Sequence, residues 1–288
     1  MNSNRKARSR VQGSWAAPTR PSSSKEHSST KNTPTAQSAT GAASWGTKNV
    51  LNKSIENTEV KLCPIPTNDL RVAPKEIVIK DEGEHVISST SRGKSKIAFF
   101  PNFLEKSDAD WMLETLKNEV QWEHRRNLKY GPNSMEPRLT AWFSEFSYSY
   151  SGVVQPPNPH WHPLLAALRD RLNDLYGYKF NSLLANLYRD GHDSVDWHTD
   201  AEPALGNSPP IASISFGDTR NFELREITDI KTDEDLTYCK RIRVPLTHGS
   251  LLLMTGATQH DWQHRVPKEY HDRSARVNLT FRLMHNSS

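Results

Sequence analysis

The chain has 288 residues, a formal net charge of +4 and two cysteines, Cys63 and Cys239. That length allows one large catalytic domain plus a tail, and so few cysteines exclude a disulfide scaffold or a Cys/His zinc module while fitting a reduced, intracellular setting. No apolar run has the length of a secretion-signal core or a membrane span, so no membrane association is expected.

Residues 1–50 hold eight Lys or Arg against a single acid, Glu26, an excess of +7 that leaves the rest of the chain slightly acidic. They are rich in Ser, Thr, Pro, Asn and Ala, with Val11, Trp15, Trp45 and Val50 as the larger apolar side chains. Such a segment buries too little surface to offset its ordering entropy. Residues 1–70 therefore read as a disordered basic tail and linker, suited to nucleic acid, to a partner such as a repair-complex protein, or to nuclear import. A solubilising extension is the plain alternative.

Ordered patterning begins near residue 75 and no internal repeat is present. "IAFFPNFL" (97–104) reads as a buried strand that leaves at Pro101. Ser107 is placed to cap a helix carrying Trp111, Met112, Leu116 and Val120, with Asp108 and Asp110 in its first turn. A second helix follows Pro163, with Leu164, Leu165, Leu168, Leu172 and Leu175 on one stripe and Gly177 as its stop. Beyond 182, short strands dominate: 182–189, 211–216, 219–225, 238–246, 250–255 and 276–284. The acidic connection 226–236 reads as a solvated loop. Strands following a pair of helices predict a mainly β fold with flanking helices (α+β), a double-stranded β-helix or jelly roll with the helices packed outside.

"VDWHTD" supplies His198 and Asp200, two apart, so on a strand they emerge on one face. Alone, this pair is a weak signal. "DWQHRVPK" adds His264 after an apolar strand, and two imidazoles with one carboxylate form the facial triad that holds ferrous iron with three positions open. Zinc is the competing metal, but its His/His/carboxylate sites usually draw two histidines from one helix, and H-E-x-x-H is absent. His160 and His162 bracket a Trp at a Pro-rich helix start and read as structural.

"ARVNLTFRLM" (275–284) alternates: Val277, Leu279, Phe281 and Leu283 on one side, Arg276, Asn278, Thr280 and Arg282 on the other. Inside a barrel the polar side is costly unless an anion neutralises it. A small dicarboxylate fits, one end chelating iron near Arg276 and the distal carboxylate clamped by Arg282. By the same period, "LLANLYR" offers Asn186 and Tyr188 as further donors. In this order the residues make 2-oxoglutarate the economical ligand.

The series N-L-Y (186–188), H-T-D (198–200), W-Q-H-R-V-P-K (262–268) and R-V-N-L-T-F-R (276–282) resembles the AlkB family of iron and 2-oxoglutarate dioxygenases, which oxidatively demethylate nucleobases. "PRLTAWF", "PNPHWHPLL", "FNSLL" and "IASISFG" are similar to one vertebrate branch of it. The likeness covers about residues 75–285, plus "RVQGSWAAP" near the start. It implies a dioxygenase domain over 75–288, Fe(II) on His198, Asp200 and His264, 2-oxoglutarate on Asn186, Tyr188, Arg276, Asn278 and Arg282, and O2 as oxidant. It also implies a nucleotide-recognition lid at about 120–155, lined by Trp122, Tyr148, Ser149 and Tyr150. One departure stands out: after Asp200 the family pattern has a second Asp, and this chain has Ala201, followed by Glu202.

The resemblance makes single-stranded DNA and RNA carrying 1-methyladenine or 3-methylcytosine the expected substrate. A base must leave its stack to reach the metal, and flat side chains hold it there. Trp122, Tyr148 and Tyr150 are the stacking candidates. Trp142, in an apolar strand, reads as core. Arg125, Arg126 and Lys129 are placed to meet phosphates, or are simply solvated. A cationic methylated base suits aromatic faces and a carboxylate such as Glu202. Expected locations are nucleus and cytoplasm. A protein-side-chain hydroxylase is the alternative within this chemistry, and a non-catalytic nucleic-acid-binding module the alternative outside it.

Overall fold

A computed structural model describes residues 72–150, 152–228 and 236–285, without the side chains of Tyr130, Tyr148 and Tyr150. The basic tail expected over 1–70, and most of the acidic connection, lie outside the described residues. In chain order the regular elements begin with β1 (Ile77–Val78), β2 (Gly83–Thr90), β3 (Gly93–Phe100), α1 (Lys106–Glu119), β4 (Leu139–Ser144), β5 (Tyr148–Tyr150), β6 (Val153–Gln155) and α2 (Pro163–Tyr176). They continue with β7 (Ser182–Tyr188), β8 (Val195–His198), β9 (Ile211–Gly217), β10 (Arg220–Glu226), β11 (Arg241–Leu246), β12 (Ser250–Gly256), α3 (Thr258–Asp261), β13 (Trp262–Val266) and β14 (Arg276–Arg282).

Alternation decides the architecture. Along β14 the apolar side chains Val277, Leu279 and Phe281 join Ile214, Phe216, Leu183, Leu251 and Leu253 in one core, which also takes Leu116 of α1 and Leu165, Leu168 and Leu172 of α2. This core glues the helices to a seven-stranded sheet ordered β2-β3-β12-β9-β14-β7-β4. A second core lies between that sheet and a five-stranded one ordered β1-β11-β10-β13-β8. It draws Ile97, Phe99, Ile211, Leu252 and Met254 from the larger sheet, and Phe222, Leu224, Ile242, Val244, Trp262 and Val266 from the smaller. The central strands β12, β9, β14 and β7 of the larger sheet thus have one face toward helices and one toward the second sheet, and nearly all of their residues are buried. The expected jelly roll with external helices is the observed fold. Among the described residues no helix is long and apolar enough to cross a membrane.

Local signals match the structure where their chemistry is unambiguous. Pro163 opens α2, the His162 ring accepts from the Leu164 N–H, and Gly177 closes the helix at φ 70°, in the left-handed region where glycine is unstrained. Leu175, expected on the buried stripe, is exposed. Helix α1 differs from expectation at its start: Glu105 is the N-cap and makes no side-chain cap bond, so Ser107 lies inside the first turn. Trp111 of α1 is also exposed, because Ala109, Met112 and Leu116 occupy the inward face at helical spacing.

Candidate metal centre and anion site

β8 and β13 are antiparallel neighbours, and His198 stands directly opposite His264. Their ring centroids are 4.2 Å apart. Asp200, two residues on, is carried past the end of β8 and turns inward. The Asp200 backbone N–H donates to the Gln259 side-chain oxygen at 2.9 Å, which fixes the turn from α3. One ligand atom from each of His198, Asp200 and His264 falls within 4.8 Å of the other two, the spacing of a shared metal ion. The His198 Nδ1 donates to the Asp196 carbonyl at 2.8 Å, leaving Nε2 to ligate.

Electrostatics favour the metal-binding protonation states. Burial pushes the His264 imidazole down to about 3, and the neighbouring His198 adds to the shift. Burial also lowers His198. Burial alone would raise the Asp200 carboxyl, but Arg282, His264 and His198 outweigh it and hold Asp200 below the usual carboxylate range. Two neutral imidazoles and one carboxylate are what a divalent cation requires.

The metal-free protein should therefore lose stability in acid. The unfolded His264 protonates near 6.5 and the folded one near 3. Between those values the unfolded chain binds the extra proton, so stability is full above about pH 6.5 and falls as pH drops toward 3, by several kcal/mol over the whole window. The lowered Asp200 adds loss in the same direction. Urea melts at pH 7.5 and 5.5 should show this decline, and His264→Leu should reduce it to the share contributed by His198, which burial also lowers. Equal midpoints for the native sequence at the two pH values would contradict a buried neutral imidazole.

The polar side of β14 faces the same interior. Arg276, Asn278, Thr280 and Arg282 are buried and, by register, lie beside Tyr188, Asn186 and Ser182 of β7. Asn186 donates to the Asn278 Oδ1 (3.4 Å), Asn278 to the Ser213 hydroxyl (2.7 Å) and Thr280 to the Asn278 Oδ1 (2.9 Å). Tyr188, Asn186, Ser213, the four polar residues of β14 and the three metal ligands line one narrow cavity of about 50 Å³ between the sheets.

The two arginines exchange the ends assigned to them from the sequence. Arg282, expected at the distal carboxylate, donates through Nη2 to both Asp200 oxygens at 3.0 Å and so stands at the metal. Arg276, expected beside iron, lies away from it against the Tyr188 ring (5.0 Å) and donates to the Ser215 hydroxyl at 3.0 Å. The buried Nε and Nη1 of Arg276 have no hydrogen-bond acceptor. Burial lowers its guanidinium, with Tyr188 opposing. A desolvated cation with orphaned donors fits the far carboxylate of a dicarboxylic acid chelated at the other end of the cavity. The residues therefore fit 2-oxoglutarate, with Arg276 as the distal clamp.

Two supporting residues escaped the sequence reading. Arg138, at the foot of β4, is buried and donates to the Asn186 Oδ1 at 2.8 Å. Its stretch, "PRLTAWF", carried only the resemblance. Arg220 is buried and donates to the carbonyls of Asp190, Gly191, Asp193 and Pro267, tying the loop before β8 to the loop after β13. Those loops meet so closely that a Cβ on Gly191 would stand 2.4 Å from the Glu269 carbonyl oxygen.

The expected substrate residues are placed less uniformly. Trp122 is half-buried: it packs against the helical core and its indole N–H donates to the Leu116 carbonyl at 3.2 Å, so it also serves the scaffold. Ser149 is exposed on β5, while the side chains of Tyr148 and Tyr150 lie outside the description. Glu202 is half-buried where a short 3-10 turn starts, two residues beyond Asp200. Trp142 is buried with Leu184, Leu205 and Met284, and His162 caps α2 while contacting Glu119 at 3.0 Å, both as expected of structural residues. A wider groove of about 830 Å³ adjoins the metal site and shares His198, Val195 and Arg138 with the inner cavity.

A model of the 2OG-Fe(II) oxygenase superfamily matches residues 96–282. The chain is 44% identical over 281 residues to the human alpha-ketoglutarate-dependent dioxygenase alkB homolog 3, covering 98% of this chain and 96% of that protein. The mouse protein of the same name matches at the same identity and coverage. Human DNA oxidative demethylase ALKBH2 is 36% identical over 182 residues, 62% of this chain and 69% of that one.

Proposed function

The chain belongs to the AlkB family of 2OG-Fe(II) oxygenases and is an Fe(II)- and 2-oxoglutarate-dependent dioxygenase, and from that premise we propose that it removes N-methyl groups from 1-methyladenine and 3-methylcytosine in single-stranded DNA and RNA. The observation that carries this reading is the groove that opens onto the metal through His198 and is wide enough for a nucleotide, next to an inner cavity fitted to the co-substrate. Similarity to a DNA oxidative demethylase supports the substrate class.

His198, Asp200 and His264 hold the iron, with His198 aimed by the Asp196 carbonyl and Asp200 by Gln259 and Arg282. Asn186, Tyr188, Asn278 and Arg276 orient 2-oxoglutarate from the sheet. When bound, iron, 2-oxoglutarate and dioxygen supply the oxidising equivalents that hydroxylate an N-methyl group, which then leaves as formaldehyde. The interior site keeps water from the oxidation because the apolar Phe222, Met254 and Leu246 close the cavity around the metal ligands. Mass spectrometry of a 3-methylcytosine oligonucleotide incubated with iron, ascorbate and 2-oxoglutarate tests the proposal: a mass loss of one CH2, as N-methyl becomes N–H, with equimolar succinate and formaldehyde is expected. Succinate release with a peptide and none with methylated strands would overturn it.

Strand form follows from energetics. Taking a base from a matched duplex costs a few kcal/mol of pairing and stacking, so single strands should react faster than duplexes of the same sequence. Glu202→Gln keeps size and removes charge. It should slow cationic 3-methylcytosine more than a neutral methylated base such as N6-methyladenine. Equal rates on both strand forms, or equal losses on both bases, would remove the corresponding half of this expectation.

A further inference from the structure

The described fold carries a cationic rim that the oxidation itself does not use. Besides Arg138, which is buried and holds Asn186, the groove beside the metal is lined by Lys129, Arg265 and Lys268 against one acid, Asp196, although the chain beyond its first 50 residues is net acidic. Tyr270 stands at its edge, 81% exposed, with the His192 ring at 5.9 Å in an edge-to-face contact. Trp197, which precedes the first metal ligand, forms another part of the wall.

From Trp197 the cationic character continues outward over the five-stranded sheet. Phe222, Leu224, Ile242, Val244, Trp262 and Val266 point inward, so alternation turns Arg225, Arg241 and Arg265 to the outer face. The guanidinium of Arg225 lies 4.5 Å from the centre of the Trp197 ring and that of Arg265 lies 4.4 Å from it. Arg225 is moreover the direct cross-strand partner of Arg241. Like charges directly opposite on antiparallel strands destabilise a sheet; Asp196 acts favourably on Arg225 and offsets part of this, and an anion lying across the pair would offset more. Glu223 answers Arg265 at 2.8 Å. Among the described residues, the hydrogen bonds of Arg225 and Arg241 go instead to neutral oxygens, of Gln263 (2.8 Å) and Leu236 (3.4 Å).

We propose that the groove and this arginine row hold the sugar–phosphate backbone of a single strand beside the reacting nucleotide, with Lys268, Arg225 and Arg241 on phosphates and Tyr270 stacked on a neighbouring base; this rests on the nucleic-acid substrate proposed above. A strand is favoured over an acidic peptide because this face meets the groove that reaches the metal at Trp197 and Arg265, and because the exposed Tyr270 offers a flat ring at the groove's edge.

The test uses the full chain with its metal and a 15-nucleotide single strand containing one 3-methylcytosine, beside the methylated mononucleotide. Arg225→Gln and Lys268→Gln, singly and together, are compared with Lys106→Gln on α1, on the helical side of the larger sheet. The slope of log affinity against log salt should become shallower by about 0.7 for each phosphate that is no longer neutralised, and the double variant should bind the strand about tenfold less tightly, with the control unchanged. Tyr270→Ala should weaken the strand without changing the slope. Binding to the mononucleotide should fall far less than binding to the strand. If the unaltered protein binds and demethylates the strand while affinity and slope match in every variant, the rim inference is overturned and the substrate reading stands. If the unaltered protein demethylates neither strand nor mononucleotide, both readings fall together. Equal binding of a poly-glutamate peptide, with equal loss in the variants, would also overturn the strand assignment.

Discussion

Replacing His198 with alanine is expected to reduce turnover to background while the protein remains folded. His198 ends an edge strand of the smaller sheet, is only half-buried, and contributes to the metal site rather than to either large core. Removing it leaves two ligands, too few to hold iron in the chelating geometry the co-substrate needs. Asp200→Ala should lose turnover equally but behave differently as a protein. Asp200 is the buried counter-ion of Arg282, and deleting one partner of a buried pair costs about 3–5 kcal/mol by leaving the other charge uncompensated. Thermal melts of the metal-free variants should therefore separate them, with Asp200→Ala melting well below His198→Ala. A spectroscopic titration with Co(II) should show loss of the site in both. Turnover at the original rate in either variant would end the iron assignment, and equal melting points would mean that the Asp200–Arg282 pair does not hold in the metal-free protein.

The sequence was most legible where periodicity and chemistry agree. Val277, Leu279 and Phe281 against Arg276, Asn278, Thr280 and Arg282 announce a strand with one apolar and one polar face, and both faces proved to be interior. Period two fixes which side chains share a face. It does not fix which end of that face is nearer the metal, because this depends on where the chain leaving β8 brings Asp200. That is why the roles of Arg276 and Arg282 came out reversed. Trp122 shows another limit: its place beside a basic loop does not reveal that the indole also bonds to the Leu116 carbonyl and packs on a core. Arg138 and Arg220 act through contacts 48 residues away and between two loops, and no local pattern encodes such partners. The crowding of Arg225 and Arg241 became visible only with the strand register.

Arg276→Met should abolish the preference for a dicarboxylic co-substrate. Arg276 is buried, its Nε and Nη1 have no hydrogen-bond acceptor, and it lies at the end of the cavity away from Asp200. A carboxylate placed there would meet a desolvated guanidinium together with the Tyr188 ring. Leaving one member of such a pair alone costs about 3–5 kcal/mol, which corresponds to a loss of roughly two to three and a half orders of magnitude in 2-oxoglutarate affinity. The comparison that isolates the distal end is with a 2-oxo acid lacking the second carboxylate. The native protein should bind the dicarboxylic acid far more tightly, and Arg276→Met should bring the two close together. Arg282→Met is expected to impair both acids alike, because it disturbs Asp200 at the metal end that they share. The metal-free proteins should also diverge in stability. Arg276→Met replaces an incompletely bonded buried cation with an apolar side chain of similar length and should melt at the same temperature or higher, whereas Arg282→Met strands Asp200 and should melt lower. If Arg282→Met selectively loses the dicarboxylic acid while Arg276→Met does not, the polarity of the cavity is the reverse of that drawn from the Asp200–Arg282 contact.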